Sequence, residues 1–391
     1  MKRTIKDIDV SGKRVLLRVD FNVPLDENGN ITDTTRIDVA LPTIKYLLMH
    51  NAKVIVCSHL GRPNGEEAKY SLLPVAKYLL NELLGRVFFA PDCIGKAAKD
   101  KVKTLKEGEV LLLENLRFYK EEEKNDPIFA KELASLADIY VNDAFGTAHR
   151  KHASTYGVAK LLPNAVGFLM GKEINAITSV IDEPERPLLA ILGGAKVEDK
   201  IPLIKNFITK CDTIIIGGGM AFTFLKAMGT EIGNSLLEVD KIKTAMEILD
   251  EAQKNNVKIV LPVDYMCATA FSPKAKAKLV VGDIPNGLQG LDIGPKTIKL
   301  FKKEISNAGS IIWNGPLGVF EFKNFAKGTT AIAKSIIKFK GKVVVGGGDS
   351  VSALNKVGKT NRIYHVSSGG GASLKLMGGE SLPGVDVISN I

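Results

Sequence analysis

The stretch KVVVGGGDS, residues 342–350, contains a short continuous apolar run that ends in three glycines. A continuous apolar run is typical of a strand that helices cover on both faces. Glycines directly after such a strand let backbone N–H groups approach a ligand without a Cβ in the way. Similar runs recur along the chain between helix-like stretches, so we predict βαβ units and largely parallel sheets.

The same pattern marks predicted strands in both halves of the chain. In the first half they span Arg14–Asp20, Lys53–His59, Arg86–Ala90, Glu109–Asn115 and Ile139–Asp143. In the second half they span Leu188–Gly194, Thr213–Gly219, Lys258–Tyr265, Ser310–Pro316, Lys342–Asp349 and Arg362–Ser368. A chain of 391 residues is too long for one ordinary core. It suits two domains of roughly 150–200 residues each.

The segment between the two halves has helical spacing. Ile174, Ile177 and Ile181 recur at helical intervals, and Pro184 and Pro187 close the pattern. We therefore predict an α/β fold of two doubly wound parallel-sheet (Rossmann-like) domains joined by a helical hinge. The expected boundaries are 1–170 for the N-terminal domain, 171–186 for the hinge, 187–371 for the C-terminal domain and 372–391 for a C-terminal helix and tail.

Composition and cysteine usage narrow the class of protein. With 45% hydrophobic and 25% charged residues, the chain is globular rather than disordered or fibrous. No stretch reaches the roughly 18 apolar residues that a transmembrane helix needs, so we expect a cytoplasmic protein. The four cysteines lie far apart and form no C-x-x-C pair, which argues against a zinc site or a disulfide framework.

The charge balance leaves several kinds of ligand open. The chain has 53 basic and 43 acidic residues, a net charge of +10, which suits nucleic acid, anionic membranes or small phosphorylated ligands. A nucleic-acid-binding protein is disfavoured because no basic stripe is interleaved with aromatic residues. A nicotinamide-dependent oxidoreductase is disfavoured because no G-x-G-x-x-G follows the first strand. Residues 357–360 resemble the end of a phosphate-binding P-loop, but Ala353 stands where its earlier glycine is required.

Polar side chains follow the predicted strands of the first half. Such sheets present their ligands at the carboxyl ends of the strands, where several arginines would share one crevice. Guanidinium groups match carboxylate and phosphate bidentately, so we predict a site for a small polyanion. One arginine alone would more simply be a surface ion pair, but several at strand ends favour the site. The residues are Asp20, Asn22, His59, Arg62, Arg117 and Arg150.

The second half carries glycine-rich strand ends instead. A single triplet is a weak signal because turns before helices also favour glycine. Several in one half-chain favour a phosphate-binding surface, so we predict that this half binds a nucleotide. The glycines lie in Gly193–Lys196, Gly217–Gly219, Gly346–Gly348 and Gly369–Gly371.

Taken together, these motifs resemble those of phosphoglycerate kinases over essentially the whole chain. The matching stretches are Arg18–Pro24, Ser58–Pro63, Glu114–Phe118, Asp143–Ser154, Leu192–Lys200, Gly217–Lys226, Gly290–Pro295, Trp313–Glu321, Gly346–Ser350 and His365–Ser373. The resemblance implies reversible phosphoryl transfer from 1,3-bisphosphoglycerate to ADP, giving 3-phosphoglycerate and ATP in glycolysis. It also implies closure about the hinge during the reaction.

The resemblance further implies which residues act. It places 3-phosphoglycerate in the N-terminal domain, on Asp20, Phe21, Asn22, Arg36, His59, Leu60, Gly61, Arg62, Arg117 and Arg150. It places ADP or ATP in the C-terminal domain, on Gly194, Ala195, Lys196, Lys200, Gly217, Gly218, Gly290, Leu291, Asn314, Pro316, Glu321, Gly347, Gly348, Asp349 and Ser350. Arg36, Lys196 and Lys200 would be catalytic, and Asp349 would hold Mg²⁺ with the nucleotide. The expected protein is a monomer without nucleic-acid or membrane partners.

A few positions depart from the family pattern or have competing interpretations. Ser350 and Ser368 stand where many relatives have threonine, and each keeps a hydroxyl; Lys151 and Tyr156 also differ. His149 and His152 lack the carboxylates or cysteines of a metal site, so structural roles or anion contact are expected. If a helix begins after Ala195, Lys196 and Lys200 fall on one helix face and would need an anion between them.

Overall fold

The computed structural model describes residues 2–358 and 360–391, so the P-loop-like run at 357–360 lies partly outside it, at Lys359. The described residues divide into two compact units. One contains the residues up to Ile174 together with Ser381–Ile391, and the other contains Asn175–Glu380. The boundary between them falls within a helix, Phe168–Ile181.

The first unit is built on a parallel sheet. Its strands are β1 (Arg14–Arg18), β2 (Lys53–Cys57), β3 (Val87–Phe89), β4 (Val110–Leu112), β5 (Ile139–Asn142) and β6 (Asn164–Val166). In the part of the chain that the structure describes, this sheet has six strands in the order β3-β4-β2-β1-β5-β6, and neighbouring strands pair in parallel. The order reverses beside β1, so a crevice opens there at the carboxyl ends of the strands.

Helices flank this first sheet. They are α1 (Thr35–Asp38), α2 (Leu41–Met49), α3 (Leu73–Glu82), α4 (Gly95–Thr104), α5 (Lys120–Glu123), α6 (Pro127–Ala134) and α7 (Phe168–Ile181). Helix α6 shows how the sequence fixes such an element. The Asp126 side chain accepts hydrogen bonds from the N–H groups of Ile128 and Phe129, and Pro127 occupies the first helical position. The buried face of α6 includes Phe129 and Leu133, which anchor it.

The second unit contains two sheets. Its strands are β7 (Leu188–Leu192), β8 (Thr213–Ile216), β9 (Lys258–Val260), β10 (Asp264–Ala268), β11 (Lys278–Val281), β12 (Gln289–Ile293), β13 (Ser310–Asn314), β14 (Lys342–Gly346) and β15 (His365–Val366). Within the described residues, the main sheet has six parallel strands in the order β15-β14-β13-β7-β8-β9. The order reverses between β7 and β13, so a second crevice forms at their carboxyl ends.

The α/β prediction is confirmed, but one small sheet was missed. Strands β10, β11 and β12 form an antiparallel sheet in the order β11-β10-β12. The single strand predicted over Lys258–Tyr265 is therefore two strands of different sheets, β9 and β10. Pro262 lies between them, and a proline without an N–H cannot continue a ladder.

The helices of this unit are α8 (Ile201–Ile208), α9 (Ala221–Ala227), α10 (Ile242–Lys254), α11 (Pro295–Asn307), α12 (Lys327–Lys338), α13 (Gly348–Val357) and α14 (Gly371–Met377). The apolar faces of α11, α12 and α13 pack with the parallel sheet into a core that includes Ile191, Phe301, Trp313 and Ile332. Among the described residues, no helix is both long enough and apolar enough to cross a membrane.

The C-terminal tail returns to the first unit, a packing that the sequence did not predict. It includes a short helix, α15 (Pro383–Asp386). The N–H of Gly384 donates to the carbonyl of Ala148 at 2.8 Å, and Asn142 Nδ2 donates to the Gly384 carbonyl at 3.1 Å. Lys2 Nζ donates to the carbonyl of Ile388 at 2.7 Å. These bonds hold the tail beside the loop that follows β5.

Candidate active site

The first unit gathers cationic side chains at the carboxyl ends of its strands. We call Arg18, Arg36, Arg117 and Arg150, together with the uncharged His59 among them, the cationic cluster. Burial lowers the pKa of the His59 imidazole well below its usual value, and Arg18, Arg117 and Arg36 lower it further. Burial also lowers the pKa of Arg117, with Arg18 and Arg150 adding to the effect. These mutual effects mean that the cluster concentrates positive charge and keeps His59 neutral.

Backbone and side-chain bonds lock the loops that carry these groups. The N–H of Gly61 donates to Asn22 Oδ1 at 2.8 Å, and Arg117 Nη1 donates to the Gly61 carbonyl at 2.8 Å. Gly61 has φ +64°, and a Cβ there would lie 2.3 Å from the Tyr70 ring, so a larger residue would not fit. The N–H of Leu60 donates to Asn115 Oδ1 at 3.1 Å, which ties this loop to the segment of Arg117.

The predicted anion ligands differ in exposure. Arg36 lies on α1, is about half-exposed and forms an ion pair with Asp20 Oδ2. Arg62 is exposed and forms no ion pair within the described residues. The Arg150 Nε lies 3.3 Å from His149 Nε2. Phe21 is fully buried, and its N–H donates to Ser58 Oγ at 2.8 Å, so it contributes to the loop mainly through its backbone.

The sequence did not reveal the buried polar layer under this cluster. Arg18 is 1% exposed, and its Nε donates to Ser154 Oγ at 2.8 Å. Its Nη2 lies 3.2 Å from His59 Nδ1. Burial, together with the charge of the nearby Arg18, lowers the pKa of His152 to about 4, so this histidine is neutral at physiological pH. An arginine ending an apolar run was the only signal for this layer.

The second unit contains a cavity of about 440 Å³ beside the β7–β13 crevice. Predicted nucleotide residues in its wall are Gly194, Ala195, Gly218, Gly290, Leu291, Pro316, Glu321 and Asp349. Apolar residues that the sequence did not single out also line it, including Phe222, Leu236, Phe271, Leu317 and Val319. An apolar wall with a few polar groups is typical of a site for a planar ligand such as a base. Burial raises the pKa of Asp292 in this wall to about 8, so that carboxyl is mostly uncharged at neutral pH.

Glycines bring the backbone segments around the cavity unusually close. A Cβ on Gly193 would lie 2.0 Å from the Pro316 carbonyl oxygen, and one on Gly218 would lie 2.6 Å from that of Gly194. Gly218 also has φ +68°, which favours glycine. A Cβ on Gly217 would instead meet a side chain, because it would lie 2.5 Å from Leu317 Cδ2. Side chains at these positions would therefore close the cavity wall or push its strand ends apart.

Lys200 and Asn314 meet at the end of β13. Lys200 Nζ donates to Asn314 Oδ1. Burial lowers the pKa of Lys200, while Asp199 and Asp349 act in the opposite direction. Asn314 is 1% exposed, and its Nδ2 has no hydrogen-bond partner among the described residues. A buried N–H donor without a partner suits an additional acceptor such as a phosphate oxygen.

No helix begins directly after Ala195, so Lys196 and Lys200 do not share one helix face. Lys196 lies in a loop and is exposed, a 3₁₀ turn spans Glu198–Lys200, and α8 begins only at Ile201. Pro202 favours this later start because proline is tolerated in the first helical turn. The two lysines therefore approach the site from different local structures.

Helix α13 begins directly after β14, with its amino end beside Asn314. Its N-cap is Gly347 with φ +87°, and a Cβ there would lie 3.0 Å from Asn314 Nδ2. Ser350 is buried, and its Oγ accepts a 2.5 Å hydrogen bond from the N–H of Gly315. The exposed N–H groups of such a helix start attract phosphate.

Asp349 lies in the first turn of α13 and is exposed at the cavity wall. Gly347, not Asp349, caps the helix. No group of three or more His, Cys, Asp or Glu side chains suited to a metal occurs among the described residues. A single carboxylate of this kind fits a Mg²⁺ whose other ligands are phosphate oxygens and water, as is usual for nucleotide-bound magnesium.

Two α/β units, one with a cationic cluster and one with a glycine-walled cavity, define a protein with the site chemistry of a phosphotransferase. A family model described as phosphoglycerate kinase matches residues 5–380. A phosphoglycerate kinase of Koribacter versatilis is 54% identical, covering 100% of this chain and 99% of its own length. The cytosolic phosphoglycerate kinase 3 of Arabidopsis thaliana is 53% identical, covering 98% of this chain and 96% of its own length.

Solved structures agree with these matches. The phosphoglycerate kinase of Coxiella burnetii superposes with a TM-score of 0.92 at 39% identity, covering 99% of this chain and 98% of that one. That of Pyrococcus horikoshii gives 0.82 at 35% identity, covering 98% of each chain. The chain belongs to the phosphoglycerate kinase family. It is an enzyme that transfers a phosphoryl group to or from a carboxyl group, in the glycolytic reaction of that family.

Proposed function

We propose that the two units divide the reaction between them, with 3-phosphoglycerate or 1,3-bisphosphoglycerate in the first and ADP or ATP in the second. The cationic cluster at the strand ends of the first unit is the observation that carries this assignment. Its arginines suit the 3-phosphate, with Arg62 added from the exposed loop, and Asp20 and Asn22 suit the hydroxyl side of the substrate. A coupled assay of ATP formation from 1,3-bisphosphoglycerate and ADP tests the overall reaction.

For the nucleotide, we propose that the base enters the apolar part of the cavity near Gly290 and Leu291. The phosphates then extend toward Gly194, Ala195 and the amino end of α13. Support comes from the close backbone approach at the glycines and from the unpartnered Asn314 Nδ2. Glu321, Gly348 and Ser350 complete the proposed contacts.

In this mechanism the protein supplies position and positive charge rather than a proton-transfer base. Phosphoryl transfer passes through a loose transition state in which charge spreads over the equatorial oxygens. We propose that Arg36, Lys196 and Lys200 stabilise that charge, and that Asp349 holds Mg²⁺, which would neutralise phosphate charge when bound. Reacting oxygens must approach to about 3–3.5 Å, so substrates bound on separate units require domain closure.

Replacing Arg62 or Arg150 by alanine is expected to weaken 3-phosphoglycerate binding and leave ADP affinity nearly unchanged. Both arginines belong to the first unit, and each would lose a bidentate contact to the substrate anion. Calorimetric titration of each variant with both ligands measures the effect. Arg86→Ala is the matched control, because Arg86 is exposed and precedes β3 at the opposite, amino-terminal end of the strands. Loss of ADP binding with normal 3-phosphoglycerate binding would reverse the assignment of the units.

Asp349→Asn is expected to abolish the tightening of ADP binding by magnesium. The amide keeps the shape of the side chain but removes the carboxylate that anchors the cation. As a residue of the first helical turn, Asp349 also stabilises α13 by about 0.3–1 kcal/mol through its charge. ADP titrations with and without magnesium separate the two roles, because a purely helical role would leave the magnesium response of the variant intact.

We also propose a monomeric protein located in the cytoplasm, without a nucleic-acid or membrane partner. The plant relatives named cytosolic support this location. Sedimentation analysis and a DNA mobility-shift experiment at low salt test the oligomeric state and nucleic-acid binding. The nicotinamide-dependent oxidoreductase is not favoured.

A further inference from the structure

Glu122 is a carboxylate buried beneath the cationic cluster. It lies on α5 in the run KEEE, and it is 1% exposed, whereas its neighbours Glu121 and Glu123 are exposed. Burial raises the pKa of Glu122, and Arg18 and hydrogen bonds from Ser154 act in the opposite direction. A charged group in such a position is retained only when it is paired and hydrogen-bonded. Its partners therefore indicate what it does.

Both oxygens of Glu122 accept hydrogen bonds from the same residue. Oε2 accepts from the backbone N–H of Ser154 at 2.9 Å, and Oε1 accepts from Ser154 Oγ at 2.5 Å. Ser154 Oγ in turn accepts from Arg18 Nε at 2.8 Å, and Arg18 Nη2 lies 3.2 Å from His59 Nδ1. The chain of contacts therefore runs from the buried carboxylate through one hydroxyl to the cationic cluster.

The same carboxylate also fixes the segment after Arg150. Ser154 belongs to a π-helical turn, Ala153–Gly157, in which Thr155 Oγ1 donates to the Arg150 carbonyl at 3.0 Å. His152 Nδ1 lies 3.9 Å from Glu122 Oε1. Helix α5 itself follows the 3₁₀ turn Leu116–Phe118 that carries Arg117. The segments that follow Arg117 and Arg150 thus meet at Glu122, and Arg18 is linked to it through Ser154.

We propose that Glu122 is a positioning residue for the phosphorylated three-carbon substrate, holding Arg18, Arg117 and Arg150 in place without touching the substrate. This inference rests on the proposed function of the first unit. The charge of Glu122 and its positioning role predict opposite effects of its removal on anion binding. Removing a negative charge near an anion site should by itself tighten anion binding, whereas losing the position of the arginines should weaken it.

Glu122→Gln separates the two effects. Each carboxylate oxygen accepts one of the two bonds from Ser154, so an amide replaces one of these acceptors with an NH₂ donor and loses that bond. We expect 3-phosphoglycerate affinity to fall by about tenfold, a typical coupling between residues of one hydrogen-bond network, with ADP affinity unchanged. Ser154→Ala should weaken 3-phosphoglycerate binding similarly, and the double variant should be little worse than the weaker-binding single one. Glu121→Gln makes the same charge change on the exposed face of α5 and should not weaken binding.

Calorimetric titrations with 3-phosphoglycerate and with ADP decide the matter. Unchanged or tighter 3-phosphoglycerate binding by Glu122→Gln overturns the inference, as does equal weakening for both ligands. If Glu122→Gln fails to fold, the decision passes to Ser154→Ala, whose normal 3-phosphoglycerate affinity would overturn it. Arg62→Ala is measured in parallel. If Arg62→Ala also binds 3-phosphoglycerate normally, the proposed substrate site is wrong. If Arg62→Ala loses affinity while the Glu122 and Ser154 variants bind normally, only the role of Glu122 is refuted.

Discussion

Lys200→Ala should lower kcat by roughly two orders of magnitude or more, with little change in KM for ADP. The reason is that Lys200 is proposed to meet the phosphoryl group mainly in transit, so its contact strengthens in the transition state. A hundredfold loss corresponds to roughly 2.7 kcal/mol of transition-state stabilisation. The partly buried ammonium, held by Asn314 Oδ1 near Asp349, is already oriented for this role.

Steady-state kinetics of the Lys200 variant test this prediction, with circular dichroism to check the fold. Lys205→Ala is the matched control, because Lys205 is an exposed lysine on the adjoining helix α8. A variant with near-normal kcat and only a raised KM for ADP would mean that Lys200 binds the nucleotide equally in the ground state and transition state. In that case the transfer depends on other cations.

Much of the fold could be predicted because parallel strands covered on both faces are continuously apolar. The runs that became β1, β2, β7 and β13 have this pattern, and their ends were predicted to within a few residues. The antiparallel sheet was missed because β12 reads Gln-Gly-Leu-Asp-Ile, a mixture of polar residues and glycine that is typical of a turn. Its structure depends on pairing with β10, a long-range contact that no local pattern encodes.

The candidate site was predictable to the extent that its residues follow strands. Glycines and arginines at strand ends are local features of the sequence, so they allowed us to predict a nucleotide site in the second half and an anion site in the first. The apolar cavity wall was not predictable, because Phe222 or Leu236 in a sequence is more often a core residue than a ligand contact. Glu122 was missed for the opposite reason: three consecutive glutamates are typical of a solvated surface, and only the tertiary structure buries the middle one.

Gly218→Ala is expected to reduce both stability and ADP affinity strongly, because the backbone packs closely around this glycine. This residue has φ +68°, and a Cβ there would lie 2.6 Å from the carbonyl oxygen of Gly194 and 2.8 Å from that of Pro316. Both neighbours are backbone atoms, so the clash cannot be relieved by turning a side chain. Backbone strain and overpacking together should make Gly218→Ala less stable by about 3 kcal/mol or more. Because Gly194 and Pro316 form the cavity wall, ADP affinity should fall by roughly a hundredfold or more.

Gly229→Ala is the control that separates backbone strain at positive φ from the steric clash of a new Cβ. Gly229 follows α9 with φ +87°, but nothing lies within 4 Å of its would-be Cβ. Its substitution should therefore reduce the free energy of unfolding by only about 1 kcal/mol and leave ADP affinity unchanged. Denaturant unfolding and ADP titration of the two variants give both quantities. If Gly218→Ala binds ADP as well as Gly229→Ala does, the nucleotide phosphates do not depend on the close approach of these loops, and the proposed phosphate path along Gly194 is wrong.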